Sequence, residues 1–171
     1  AKKVGREIGS FFGEMLFTHF GISGPCVLSL SSLINRLPMS EIEICIDLKP
    51  ALDAQTLDKR ILRDFEKYKN KMLIHALDEL LPKSLVAVVV ARSGILPSTP
   101  VNSVTKAQRG HLLETIKRFT LRPSSLRGIQ ESIVTAGGVD VREIHPKTME
   151  SKLVKGLYFC GEVLDVDAFT G

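Results

Sequence analysis

The chain has 171 residues, of which 44% are hydrophobic and 25% charged, with a net charge of +4. That length suits one domain or two small ones, and that balance implies a packed core rather than wholesale disorder. No apolar run approaches a membrane span, and the first residues do not read as a signal peptide.

Three scattered cysteines, Cys26, Cys45 and Cys160, form no C-x-x-C pair and no even framework. They suit a reducing cytoplasm, with each thiol packed as a small hydrophobe. The basic residues are mixed with acids, as in Asp58-Lys59-Arg60 and Arg63-Asp64-Phe65-Glu66-Lys67, which is the pattern of a solvated helix face. A denser set, Lys117, Arg118, Arg122 and Arg127, has only Phe119 interleaved. Nucleic-acid binding calls for a basic stripe with stacking residues or a known module, so no nucleic-acid partner and no membrane partner is expected.

In chain order, Lys3 to Phe20 reads as extended structure, with Gly5, Gly9 and Gly13 marking turns or bulges. In Gly21-Ile22-Ser23-Gly24-Pro25, Ser23 or Gly24 can cap a helix and Pro25 suits its first turn. That helix, near residues 24–36, should run through Val27, Leu28, Leu30 and Ile34. Its N-terminus is expected to offer backbone N–H groups to an anion. Glu41 to Leu48 is the clearest strand: Ile42, Ile44, Ile46 and Leu48 alternate with Glu41, Glu43, Cys45 and Asp47, so one face is buried and one is wet.

From Asp53, a candidate cap, the period changes to 3.6. Leu57, Ile61, Phe65 and Tyr68 form one stripe; Leu73, Ala76, Leu77 and Leu80 form the next, stopped by Pro82. Ser84 to Arg92 is valine-rich, yet its place between helices and the stop at Gly94 favour a buried helix. Thr105-Lys106-Ala107-Gln108 is a capping box opening a helix through Leu112, Leu113 and Ile116. Strand character returns after Phe119. The expected class is α+β: an antiparallel sheet or small β-barrel with an inserted helical bundle.

The C-terminal stretch carries two glycine-punctuated turns, Val134-Thr135-Ala136-Gly137-Gly138-Val139 and Cys160-Gly161-Glu162. Each follows a run suited to a strand, Ile129–Thr135 and Gly156–Cys160. Glycine permits positive φ or a close approach that a Cβ would block. An acidic side chain just past a strand end is a frequent turn feature, and also the place where open α/β sheets bind nucleotides.

Beyond these turns lie Glu143-Ile144, Thr148-Met149-Glu150-Ser151-Lys152, Gly156-Leu157-Tyr158-Phe159, Leu164-Asp165-Val166-Asp167 and Thr170-Gly171. Together with Phe17-Thr18-His19-Phe20-Gly21-Ile22-Ser23-Gly24-Pro25 near the start, this order of motifs resembles the BaiN-like bacterial flavoproteins, a family of NAD(P)/FAD-dependent oxidoreductases. The resemblance implies an insert of β-barrel and helical parts interrupting a flavin-binding domain. Residues 1–50 are then the sheet or barrel part, 51–118 the helical subdomain, 119–145 the return strands, and 146–171 the start of the C-terminal flavin-binding segment. No strand followed by G-x-G-x-x-G and a helix occurs in the chain, so the adenosine half of an FAD site is not encoded here. The sequence opens at Ala1 and stops inside the family's T-G-G-Y-N motif. It is therefore expected to be a fragment, inactive and without bound cofactor by itself, whose partners include the missing N-terminal FAD-binding domain. Residues 156–171 are expected to form a poorly anchored tail or to borrow a neighbour's sheet edge.

The resemblance further implies FAD in the full-length protein, with Gly137, Gly138, Gly161, Glu162, Asp165, Thr170 and Gly171 at the cofactor. Glu162 would accept a hydrogen bond from a ribityl hydroxyl, with Asp165 as second choice. His19 and Thr18 are the catalytic candidates near the reacting face; the plainer alternative for His19 is a bond to loop backbone. NAD(P)H and a small organic substrate complete the expected set. No metal is expected, because the sequence has no H-E-x-x-H and no paired Cys/His set; nor does it have a P-loop lysine motif. The alternative function is a non-catalytic domain that contacts a partner chain or the rest of its own chain.

Overall fold

A computed structural model describes residues 1–3, 6–133 and 136–166. The class is α+β, with short antiparallel pairings and five helices among the described residues. The backbone separates into two units, residues 1–43 with 122–171, and residues 44–121.

The second unit is organised by helix periodicity. It contains α2 (Ala54–Lys67), α3 (Leu73–Ala76), α4 (Lys83–Arg92) and α5 (Lys106–Lys117), numbered after α1 (Pro25–Ile34) in the first unit. α2 starts at Asp53, whose side chain accepts the Thr56 N–H at 2.6 Å. Those bonds to the backbone and hydroxyl of Thr56 hold the Asp53 carboxyl below its ordinary pKa. Leu57, Ile61 and Phe65 turn inward at spacings of four residues, against α5, which presents Leu112 and Ile116. α5 is opened by the expected reciprocal cap: Thr105 accepts the Gln108 N–H and Gln108 accepts the Thr105 N–H. α4 is helical despite its valines, because Val86, Val89 and Val90 fall on one buried face and packing outweighs weak propensity.

Asp64 is the buried charge of this unit. It is 2% exposed, and Arg60 Nε donates to both its oxygens at 3.0 and 2.8 Å. The stripe after Leu73 departs from expectation. Only Leu73–Ala76 is helical, and the chain then turns, with the Leu80 and Leu81 N–H groups both donating to the Leu77 carbonyl at 2.9 Å. Leu77 and Leu80 stay buried in turns. Strand β5 (Ile42–Ile46) crosses the boundary between the units, and its later half pairs antiparallel with β6 (Phe119–Leu121), Ile44 opposite Leu121 and Ile46 opposite Phe119.

The first unit is built from shorter pieces. β1 (Lys2–Lys3) pairs with β2 (Arg6–Glu7) and with the start of β5, Lys2 opposite Glu43 and Lys3 opposite Ile42. β3 (Leu16–Thr18) and β4 (Gly21–Ser23) form a hairpin. The expected strands at Ile129–Thr135 and Gly156–Cys160 are not formed in the described residues. Ile129–Glu131 is a 3-10 turn, and Tyr158 makes one isolated bridge to Glu150. A strand needs a continuous partner edge, and a single bridge does not provide one. Burial reverses between the units. Among the described residues, 44–121 hold 17 of the 21 buried apolar residues, whereas 1–43 and 122–166 carry 16 of the 20 large apolar residues that stay exposed.

Candidate functional site

The two glycine turns of the C-terminal stretch meet each other. The Val139 N–H donates to the Val163 carbonyl at 2.8 Å and the Asp165 N–H donates to the Val139 carbonyl at 2.9 Å, a one-residue parallel bridge between Val139 and Leu164. Gly138 permits it. A Cβ on Gly138 would lie 2.4 Å from the Val163 carbonyl oxygen and 2.8 Å from the Leu164 carbonyl carbon. The space that a cofactor was expected to use at Gly138 is thus filled by the chain's own backbone. Gly137 (φ 104°) and Gly161 (φ 75°) have no atom within 4 Å of the Cβ position, and their positive φ favours glycine. Gly161 opens a 3-10 turn, Gly161–Val163, that carries Glu162 exposed on its outside. Thr170 and Gly171 lie outside the described residues.

Asp165 is not left facing a ligand. Its carboxylate accepts from Arg36 at 3.0 Å, across a span of 129 residues in sequence. The pair is largely exposed, so its worth is well under 1 kcal/mol or about that. Nearby, Arg142 forks onto Asp140, its Nε 3.0 Å from each carboxylate oxygen and its Nη2 2.5 Å from Oδ2, and the Arg142 backbone N–H adds a fourth bond. Together they pull the Asp140 carboxyl down to about 2. Residues 156–166 are therefore tied down rather than a loose tail. Besides the Val139 bonds, the Ser151 N–H donates to the Leu157 carbonyl and the Phe159 N–H to the Met149 carbonyl.

The second group of candidates sits at the β3–β4 hairpin, whose two-residue loop is His19-Phe20. Thr18 Oγ1 donates to the Gly21 carbonyl at 3.1 Å, which commits that hydroxyl proton to closing the loop. His19 is exposed at the tip, its ring edge-on to Phe20 with centroids 5.0 Å apart. Arg127 lies over the Phe20 ring at 4.2 Å and pairs with Glu131. The i,i+4 spacing of Arg127 and Glu131 is visible in the sequence; the Phe20 contact and the Arg36 contact are not.

The anion site expected at the start of α1 is closed. Gly24 caps the helix at φ 106°, and a Cβ there would lie 2.9 Å from Met15 Cα. This approach brings the Glu14 carbonyl to the helix end, where it accepts the Cys26 N–H at 3.4 Å and the Cys26 thiol at 3.0 Å. The Val27 and Leu28 N–H groups turn to the Gly24 carbonyl. Pro25 has no N–H, so the first turn has its donors engaged. Among the described residues no group of three or more His, Cys, Asp or Glu side chains is placed to hold a metal ion. No described helix is long and apolar enough to cross a membrane.

Residues 1–134, which include the hairpin, α1 and the whole helical unit, match the model of the HI0933-like protein barrel and H2TH domain. The chain belongs to the HI0933-like family. It is 38% identical over 162 residues to a ribosomal RNA dihydrouridine synthase of Haemophilus influenzae, covering 95% of this chain and 38% of that protein. A ribosomal RNA dihydrouridine synthase of Escherichia coli is 34% identical over 168 residues, covering 96% of this chain and 40% of the relative. A 3-dehydro-bile acid delta(4,6)-reductase of Clostridium scindens is 30% identical over 174 residues, covering all of this chain and 42% of the relative. The chain thus spans about two fifths of the length of these curated relatives.

Proposed function

We propose that this chain is the substrate-side part of an FAD-dependent reductase that adds two hydrogens across a carbon–carbon double bond conjugated to a carbonyl. The observation that carries the reading is the shared chemistry in the relatives' names. Making dihydrouridine saturates the double bond of uracil, and a delta(4,6)-reductase acting on a 3-oxo steroid removes a double bond of the same electronic type. In both, a hydride adds to the carbon remote from the carbonyl and a proton to the carbon beside it. The two relatives with the higher identities act on ribosomal RNA by name, so a uridine in RNA is the favoured substrate. This sets aside the expectation of a small organic substrate and no nucleic-acid partner.

The residues fit a flavin in part. Open space beside Gly137 and Gly161, and the exposed Glu162, suit the ribityl side of FAD. Gly138 is used for loop docking and Asp165 is paired with Arg36, so both are assigned structural parts. Reduced flavin, when bound, supplies the hydride equivalent, with NAD(P)H as its source. An imidazole nitrogen of His19 hands a proton to the substrate carbon, because its ring is exposed at the hairpin tip. Thr18 holds that tip in place. The 16 exposed apolar residues of the first unit are surfaces for the remaining flavin-binding portion of the protein, which also accommodates the interaction-domain reading.

The test uses the full-length protein. It should purify yellow, and Glu162→Ala should lower its flavin content. With NAD(P)H it should add 2 Da to a uridine in RNA, and His19→Ala should slow that step without removing the flavin. A full-length protein that is colourless and takes up no added FAD would sink the reductase reading.

A further inference from the structure

The helical unit holds all of the chain's excess positive charge. Residues 44–121 contain 13 Lys and Arg against 8 Asp and Glu, a net +5, while the rest of the chain has 10 against 11. Within that unit the stretch from Lys59 to Lys71 has six basic and two acidic side chains. In the sequence this looks like a mixed, solvated helix. The structure sorts the charges.

Of the two acids, Asp64 points inward at 2% exposure and is bound mainly by Arg60 at 2.8 Å, with Arg63 Nε at 3.9 Å. Lys59, Arg63 and Lys67 remain exposed at positions i, i+4 and i+8 of α2, one ridge with a rise of about 6 Å per step. Around this ridge three acids pair with bases. Asp58 pairs with Arg109 at 2.8 Å, Glu66 with Lys69 at 3.4 Å and Glu79 with Lys67 at 2.7 Å. Lys59 and Lys71 pair with no carboxylate among the described residues, and Arg63, 71% exposed, keeps only a 3.9 Å contact with Asp64. Lys71 lies 4.7 Å from the centroid of the Tyr68 ring, which places it beside the end of the ridge.

We propose that the solvent face of α2, with Lys59 and Arg63 at its centre and Lys71 beyond its C-terminal end, is a docking ridge for the phosphate backbone of RNA. The proposal rests on the reading that the substrate is a uridine in RNA, and it adds a surface in the helical unit to the glycine turns and the His19 hairpin of the other unit. Ridge contacts to phosphate are sequence-independent and give affinity by releasing counterions. They hold the strand while another part of the protein selects the base.

The test measures binding of this 171-residue chain to a short fluorescein-labelled RNA hairpin by anisotropy across a series of salt concentrations. Lys59→Gln/Arg63→Gln removes two ridge charges at exposed positions, and Lys147→Gln/Lys155→Gln removes two exposed charges from the other unit. Circular dichroism checks that all three proteins hold the same helix content. The ridge variant should flatten the plot of log affinity against log salt by about 2, one for each lost phosphate contact, and the control variant should leave it unchanged. Equal slopes for both variants, or no binding by the unaltered chain at low salt, overturn the ridge. RNA reduction by a full-length protein whose ridge fails this test would leave the reductase reading standing. Ridge binding with no reduction by the full-length protein would remove that reading and keep the ridge.

Discussion

Gly138→Ala separates a glycine kept for loop docking from one kept for a cofactor. The added methyl would sit 2.4 Å from the Val163 carbonyl oxygen and 3.0 Å from the Asp165 nitrogen. Restoring ordinary contact needs a displacement of about 1 Å, which stretches N–H···O bonds now at 2.8 and 2.9 Å past hydrogen-bonding range. Two backbone bonds at roughly 0.5–1.5 kcal/mol each put the local loss at about 1–3 kcal/mol. At 1.4 kcal/mol per tenfold, exchange of the Val139 and Asp165 amide protons should quicken by roughly 5- to 150-fold. Hydrogen exchange read by NMR on this chain, with no flavin added, is the assay. Helical-unit amides such as those of Leu57 and Leu112 serve as the internal reference, because their environment is untouched. Exchange at Val139 and Asp165 within twofold of the parent would refute the docking of 137–140 on 161–165.

Two further outcomes follow from the charges. Arg60→Met leaves the Asp64 carboxylate buried without its main partner and should cost about 3 kcal/mol, seen as a lower urea midpoint; adding Asp64→Leu should recover most of it. Failure of the second substitution to recover stability would mean that the pair itself, rather than the stranded charge, sets the cost. For Asp140 the pH dependence has a defined sign. Its carboxyl is held at about 2, against 3.8 for an ordinary aspartate, so the fork with Arg142 is fully formed above the higher value and lost as pH falls through the lower one. The Arg142 amide shift in an NMR titration should move with a midpoint near the lower value, and a midpoint near 3.8 would refute the fork.

Much of the helical unit is legible from residue spacing alone, because its determinants are local. Asp53 and Thr105 sit where a helix end needs a side-chain acceptor, and Leu57, Ile61 and Phe65 recur at the helix period, so cap, face and register are written within a few residues of one another. The alternation from Ile42 to Ile46 marks β5 for the same reason. The strands expected at Ile129 and Tyr158 fail because a strand is completed by a partner elsewhere in the chain, and apolar character cannot supply that partner. The candidate site divides along the same line. Its glycines are visible as glycines, but only the tertiary structure decides that Gly138 admits the Val163–Asp165 backbone, while Gly137 and Gly161 face open space. Likewise the sequence by itself determines that Asp165 is an acid after a turn. Its pairing with Arg36, 129 residues away, comes from the path of the folded chain, since the strength of a charge pair depends on distance in space. The same holds for α2. Its basic residues can be counted in the sequence, but the inward turn of Asp64 that leaves them in excess on the outer face is a consequence of packing.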